Sequence, residues 1–119
     1  MGYGKIINLS SAFSRSIIKG RVVYGGIKAR VSHLTEALAF EWASEGIRVN
    51  SLAPTAVLTP SRRETIKGEV LQRILSRIPL GRLATTDDLI GAAIYLSSPA
   101  SDFVTGQTLF VDGGWVAGS

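Results

Sequence analysis

The sequence predicts an α/β layer fold with parallel strands, and three observations carry that reading. Short apolar runs alternate with longer segments of helical periodicity, in the order strand, helix, strand, helices, strand. The first run, Lys5 to Ser10, has a continuous apolar character that points to burial on both faces, as in a parallel sheet. Glycine and proline stand at the joints: Gly46 after the first helical segment, Pro54 after the second strand and Pro99 after the last helix.

Taken in order, Lys5 to Ser10 is a strand and Ser11 to Gly20 a polar loop. A helix is expected from Arg21 to Glu45, where Val23, Ile27, Leu34, Leu38 and Trp42 recur at helical spacing. Ile47 to Ala53 is the second strand. The loop Thr55 to Pro60 leads into an amphipathic helical region from Glu64 to Arg77, broken near Gly68 and closed by Pro79 and Gly81. Thr86 is the expected N-cap of the next helix, with Asp87 and Asp88 favourably placed in its first turn. That helix runs to about Ser98, and Gln107 to Val111 forms a third strand before the Asp112-Gly113-Gly114 turn.

With 119 residues and no repeat or linker, the chain reads as one domain. A hydrophobic fraction of 45% with 18% charged residues describes a globular protein. There is no cysteine, which removes disulfides and thiolate metal sites and fits a reducing cytoplasm; with a single histidine as well, no metal site is expected. The apolar stretch Leu89 to Leu96 is interrupted by Gly91 and too short to span a bilayer, and the N-terminus has no signal-peptide pattern, so no membrane association is expected. The net charge of +4 is spread over Arg15, Lys19, Arg21, Arg62, Arg63, Arg73, Arg77 and Arg82. A solvated basic surface is therefore favoured over a nucleic-acid face, while a pull on phosphorylated or carboxylate ligands stays open.

Three side chains could do chemistry. Tyr24 and Lys28 are four apart on the expected helix and so share a face. A free phenol is a poor acid or base at neutral pH, and a neighbouring ammonium favours its phenolate. Ser11 follows the carboxyl end of the first strand, the end at which open parallel sheets bind ligands. Its hydroxyl could hold a substrate carbonyl oxygen within reach of Tyr24. Taken singly, each has a bland reading: a solvated helix face for Tyr24 and Lys28, ordinary loop chemistry for Ser11.

The order of motifs adds to this. Gly4-Lys-Ile-Ile-Asn-Leu-Ser-Ser11, Tyr24-Gly-Gly-Ile-Lys28, Gly46-Ile-Arg-Val-Asn50 with Ala53-Pro54, Pro79-Leu-Gly-Arg82, Thr105-Gly-Gln107 and Val111-Asp-Gly-Gly114 follow one another along nearly the whole chain. Together they resemble the C-terminal half of a short-chain dehydrogenase/reductase, including its Tyr-x-x-x-Lys motif and the interval from Ser11 to Tyr24. The resemblance implies the C-terminal half of a Rossmann-type doubly wound parallel sheet, with about three strands and flanking helices. It implies Tyr24 as general acid/base, Ser11 as the group that orients and polarises the substrate oxygen, and Lys28 as the group that tunes the tyrosine and holds the nicotinamide ribose. Pro54 would stand in the loop facing the nicotinamide, with Thr59 and the backbone of Val57 bonding its carboxamide. The implied reaction is reversible hydride transfer between NAD or NADP and a small alcohol or ketone of sugar-acid, polyol or 3-oxoacyl type. Full-length relatives would be dimers or tetramers.

Some residues depart from the pattern. Thr55 replaces the glycine that usually follows the proline, and Ile27 stands where a small residue is usual. Gly25 and Gly26 each cost the helix about 1 kcal/mol relative to alanine. No glycine-rich turn joins a strand to a helix, so the pyrophosphate has no obvious site. The expectation is a single partial domain over 1–119, whose dinucleotide-binding half would precede Met1. Two rivals remain. A serine hydrolase lacks the Gly-x-Ser-x-Gly elbow, and its only base candidate would be His33, expected to be a packing or surface residue. The other is a catalytically inactive fragment acting as an oligomerisation or binding module.

Overall fold

Burial is concentrated in the second strand. The computed structural model describes residues 2–119, and within them every residue from Val49 to Ala53 is buried. Neighbouring side chains on a strand point to opposite faces, so an unbroken buried run needs cover on both sides. This strand, β2 (Ile47–Pro54), lies between β1 (Gly4–Leu9) and β3 (Thr108–Val111) in a parallel sheet of three described strands. By contrast, β1 is not buried on both faces as its apolar run suggested; Leu9 is 60% exposed. Only β2 flanks β1, so its other edge has no described neighbour.

Side-chain parity assigns the cover. On β1, Asn8 donates to Thr35 Oγ1 at 3.0 Å and Ser10 Oγ to the Lys28 carbonyl at 3.2 Å, which fixes helix α1 (Val22–Trp42) to that face. Lys5 points the other way, donating to Ser101 Oγ at 2.9 Å in the short turn after α3 (Thr86–Ser97). The helix face against the sheet is therefore made of small side chains, Ser32, Thr35 and Ala39, with the Lys28 carbonyl one turn before them. The residues whose spacing predicted the helix lie mostly elsewhere, with Val23 74%, Ile27 53% and Leu34 49% exposed. After a single turn over Ala43–Glu45, the chain leaves α1 at Gly46 with φ of 77°, in the left-handed region that glycine favours.

Two boundaries differ from expectation. The region from Glu64 is not helical until Gly68, which opens α2 (Gly68–Leu75) at φ of 63° rather than breaking it. Thr85, not Thr86, caps α3: its N–H donates to Asp88 Oδ2 at 2.7 Å, and its hydroxyl donates to the same atom at 3.2 Å. The carboxylate that serves this cap is also held by Arg82 through two contacts of 2.7 and 2.9 Å. That pairing, followed by the Thr85 N–H bond, holds the Asp88 carboxyl well below the usual carboxylate range.

Beyond the carboxyl ends of the strands, Ala12, Ile78 and Trp115 form a buried cluster, joined by Phe13, Ile74 and Leu83. It ties together the loop after β1, the segment after α2 and the tail after β3. Asn50 fixes the approach to β3, donating to the Val104 carbonyl at 2.9 Å and accepting from Gln107 N–H at 3.0 Å. No helix among the described residues is long and apolar enough to cross a membrane.

Candidate active site

Ser11 leaves β1 in an extended conformation and begins a short turn over Ala12–Ser14. It is buried, and its Oγ accepts a hydrogen bond from Phe13 N–H at 3.1 Å. A hydroxyl can accept and donate at once, so this bond leaves the Ser11 proton available. Tyr24 comes from the first turn of α1 and packs edge-on against Phe13, with ring centroids 5.9 Å apart. It is 44% exposed, and its hydroxyl has no hydrogen-bond partner among the described residues.

Gly25 explains how closely these two pieces meet. A Cβ at that position would lie 3.2 Å from the Phe13 carbonyl oxygen, so α1 crosses the Ser11–Phe13 turn with no room to spare. Gly26 faces open space, and nothing in the structure explains it. Lys28 extends back to β1, where Nζ donates to the Leu9 carbonyl at 3.2 Å and lies 5.8 Å from the Tyr24 ring centroid. An ammonium has three donors, so two of the Lys28 protons remain after this bond.

Ser11 and Tyr24 line one cavity of about 200 Å³, together with Phe13, Thr55, Ala56 and Trp115. Lys28 lies beside Tyr24 without lining it. Pro54, Val57 and Thr59 follow in the loop after β2 and do not line it either. Pro54 pairs with Val111, and Thr59 Oγ1 lies 3.1 Å from Ser61 Oγ. Val57 bridges to Ala84 through the Ala56 carbonyl and the Leu58 N–H, which leaves its own amide outside that pairing. The Thr55 hydroxyl accepts from the Ala56 N–H, so the residue that departs from the expected glycine turns back onto the loop. His33 is exposed on α1, its Nδ1 3.9 Å from Glu36. A phenol, a hydroxyl and an ammonium grouped at one strand end can hold and protonate a carbonyl oxygen.

A family model described as enoyl-(acyl carrier protein) reductase matches residues 1–116. The chain belongs to the short-chain dehydrogenase/reductase family. The 2-dehydro-3-deoxy-D-gluconate 5-dehydrogenase of Bacillus subtilis is 43% identical over 98% of this chain and 46% of its own length. An NAD-dependent glycerol dehydrogenase of Listeria innocua is 35% identical over 96% of the chain and 45% of its own length. Among solved structures, a gluconate 5-dehydrogenase from Burkholderia cenocepacia, in complex with NADP and tartrate, superposes with a TM-score of 0.90 at 41% identity, over 97% of this chain and 46% of that one. The chain thus spans less than half the length of these relatives. Its three parallel strands and flanking helices belong to the Rossmann-type sheet of short-chain dehydrogenases/reductases.

Several polar groups of this short-chain dehydrogenase/reductase chain are left with hydrogen-bonding capacity at this end of the sheet. Two Lys28 donors remain, the Tyr24 hydroxyl has no partner among the described residues, and the Val57 amide lies outside the Ala84 pairing. Sequence reasoning missed the cavity's other walls. Trp115 gave no local signal, since it returns to the site from the chain's far end. Arg21, which also lines the cavity, was within reach of a sequence reading: it stands three residues before Tyr24, at the N-cap of α1.

Proposed function

We propose that this chain is the catalytic half of an NAD(P)-dependent oxidoreductase that interconverts an alcohol and a ketone. The observation that carries this reading is the shared cavity, on which Ser11 and Tyr24 both present hydroxyls with protons to give. In the reducing direction Tyr24 delivers its proton to the carbonyl oxygen, and in the oxidising direction it takes that proton back. Ser11 donates a hydrogen bond to the same oxygen and fixes its position. Lys28, held by the Leu9 carbonyl, keeps positive charge beside the phenol and has donors left for the nicotinamide ribose. Pro54, Val57 and Thr59 form the loop that meets the nicotinamide, which supplies or removes the hydride when bound.

The substrate class is a sugar acid or a polyol, in line with the names of the relatives, with 3-oxoacyl compounds behind them. Either NAD or NADP is compatible with them, and the cysteine-free composition suits the cytoplasm. The partial domain needs an amino-terminal dinucleotide-binding half for turnover. The test is to follow NADH and NADPH oxidation with a panel of ketones, using the chain alone and the chain joined behind the preceding segment of the Bacillus relative. Turnover in the joined protein that Tyr24→Phe removes supports the reading; turnover unaffected by that change overturns Tyr24 as the acid/base.

A second reading has its own observation. Val23, Ile27 and Leu34 expose an apolar stripe on α1, which supports association between copies as a dimer or tetramer. Oligomerisation without turnover, in the joined protein as well, would favour an inactive binding module.

A further inference from the structure

We infer that Arg21 and Arg62 are the specificity-determining residues of this cavity and select substrates bearing a carboxylate. The inference rests on the oxidoreductase reading for the position of the reacting oxygen. Both arginines line the cavity that holds Ser11 and Tyr24, and no acidic side chain lines it. Neither forms an ion pair among the described residues, whereas Arg82 is committed to Asp88 and Lys5 to Asp102. Two guanidinium groups facing one small cavity without a counter-charge are best matched by an anion brought in by the ligand. The planar fork of arginine suits a carboxylate in particular, which it can bind through two parallel hydrogen bonds.

The backbone adds to the same field. Arg21 occupies the N-cap of α1, and the first turn of that 21-residue helix contains no acidic side chain. The positive end of the helix dipole therefore reaches the cavity wall without being neutralised locally. Because Arg21 and Tyr24 line the same cavity, a carboxylate held by Arg21 shares that space with the phenol that serves the reacting oxygen. Arg62 approaches from a different element, the short turn Pro60–Arg62 after β2. Charge thus converges from two directions. Arg77, stacked 4.7 Å from the Trp115 ring, places a third guanidinium next to a wall residue.

Size narrows the class further. A volume of about 200 Å³ falls below the roughly 300–1,000 Å³ usual for drug-sized ligands. A short hydroxy or keto acid fits within that volume.

The test is isothermal titration of the full chain with D-gluconate and with D-glucitol, which has no carboxylate but keeps the polyol chain. Gluconate is expected to bind at least tenfold more tightly, and Arg21→Gln or Arg62→Gln should each remove most of that preference. Arg21→Lys should restore part of it. Thermal unfolding of each variant checks that the fold is retained, as expected for exposed side chains. Tyr24→Phe should alter gluconate and glucitol binding alike, while its turnover in the joined protein reads the proton transfer, so failure of the carboxylate assignment and failure of the proton-transfer assignment are told apart. Equal binding of the two ligands, no binding of either, a preference for inorganic phosphate over gluconate, or Gln variants that keep the preference would each overturn the inference.

Discussion

The two ends of the sheet treat their polar groups in opposite ways. At the amino end, Tyr3 OH donates to Asp102 at 2.7 Å, Lys5 pairs with the same carboxylate at 3.0 Å, and Arg48 Nε donates to the Asp102 carbonyl at 2.8 Å. Arg48 also stacks over the Tyr3 ring at 5.1 Å. There each polar group is satisfied by another. At the carboxyl end the side chains of Tyr24, Arg21 and Arg62 have no such partners among the described residues, and Ser11 spends only its acceptor side. The first arrangement holds strands to loops; the second keeps hydrogen-bonding capacity for something from outside.

The comparison can be broken from either side. The largest effect is expected for Tyr24→Phe in the joined protein, with turnover falling by about 10²-fold or more and a thermal midpoint that stays put, since no protein contact of the hydroxyl is lost. At the amino end, Gly46→Ala should do the reverse. It forces a left-handed conformation on alanine and pushes a Cβ into the Gly2 carbonyl, so the midpoint should drop by about 4–8 °C for each ~1 kcal/mol, with ligand affinity unchanged. Calorimetry of the variant checks it.

A smaller and more local contrast lies within α1. Gly26→Ala should raise stability by about 1 kcal/mol, because the new methyl meets open space and relieves the helix of a glycine. Gly25→Ala should gain less, since its methyl must displace the Phe13 carbonyl. Denaturant titration of both variants decides the order, and equal gains would sink the claim that α1 crosses the Ser11 turn tightly.

The smallest effect is on pH dependence. Asp102 is held below the usual carboxylate range, chiefly by the Tyr3 hydrogen bond and then by Lys5, and Tyr3 is raised, chiefly by the bond to Asp102. For the depressed carboxyls, Asp102 and Asp88, the stabilisation is complete above the ordinary carboxylate range near pH 4 and fades as pH falls below it. For Tyr3 the sign is opposite: its contribution is complete below about pH 10 and is lost as pH rises beyond that. Tyr3 and Asp102 are solvent-exposed and Asp88 is half-buried, so both slopes should be shallow and should flatten further in salt, least for the Asp88 part. Unfolding midpoints measured across pH in Asp102→Asn would show neither the Asp102 nor the Tyr3 part.

How much of this could be read from the residues depends on the kind of information each feature needs. The parallel sheet, the order of the elements and the grouping of Ser11, Tyr24 and Lys28 follow from local pattern and helical spacing. The exposure of β1 does not, because Ile6 and Ile7 look equally apolar in an edge strand and a central one. Nor does the orientation of α1: Val23, Ile27 and Leu34 mark a helix, but Thr35 and Ala39 meet the sheet because small side chains permit close approach. The cap of α3 shifted by one residue since Thr85 and Thr86 are interchangeable in composition, and only the reach of Asp88 separates them. The cavity walls were the least legible, being built by residues far apart in sequence.

Trp115 gives the molecule an optical consequence. Its indole is buried, donates to Ser16 Oγ at 2.9 Å, stacks with Arg77 and forms part of the cavity wall. The other tryptophan, Trp42, lies at the far end of α1 and lines no part of that cavity. Emission from one indole should therefore respond when the cavity fills while the other supplies a steady background, so the protein carries its own fluorescent gauge of occupancy without a label.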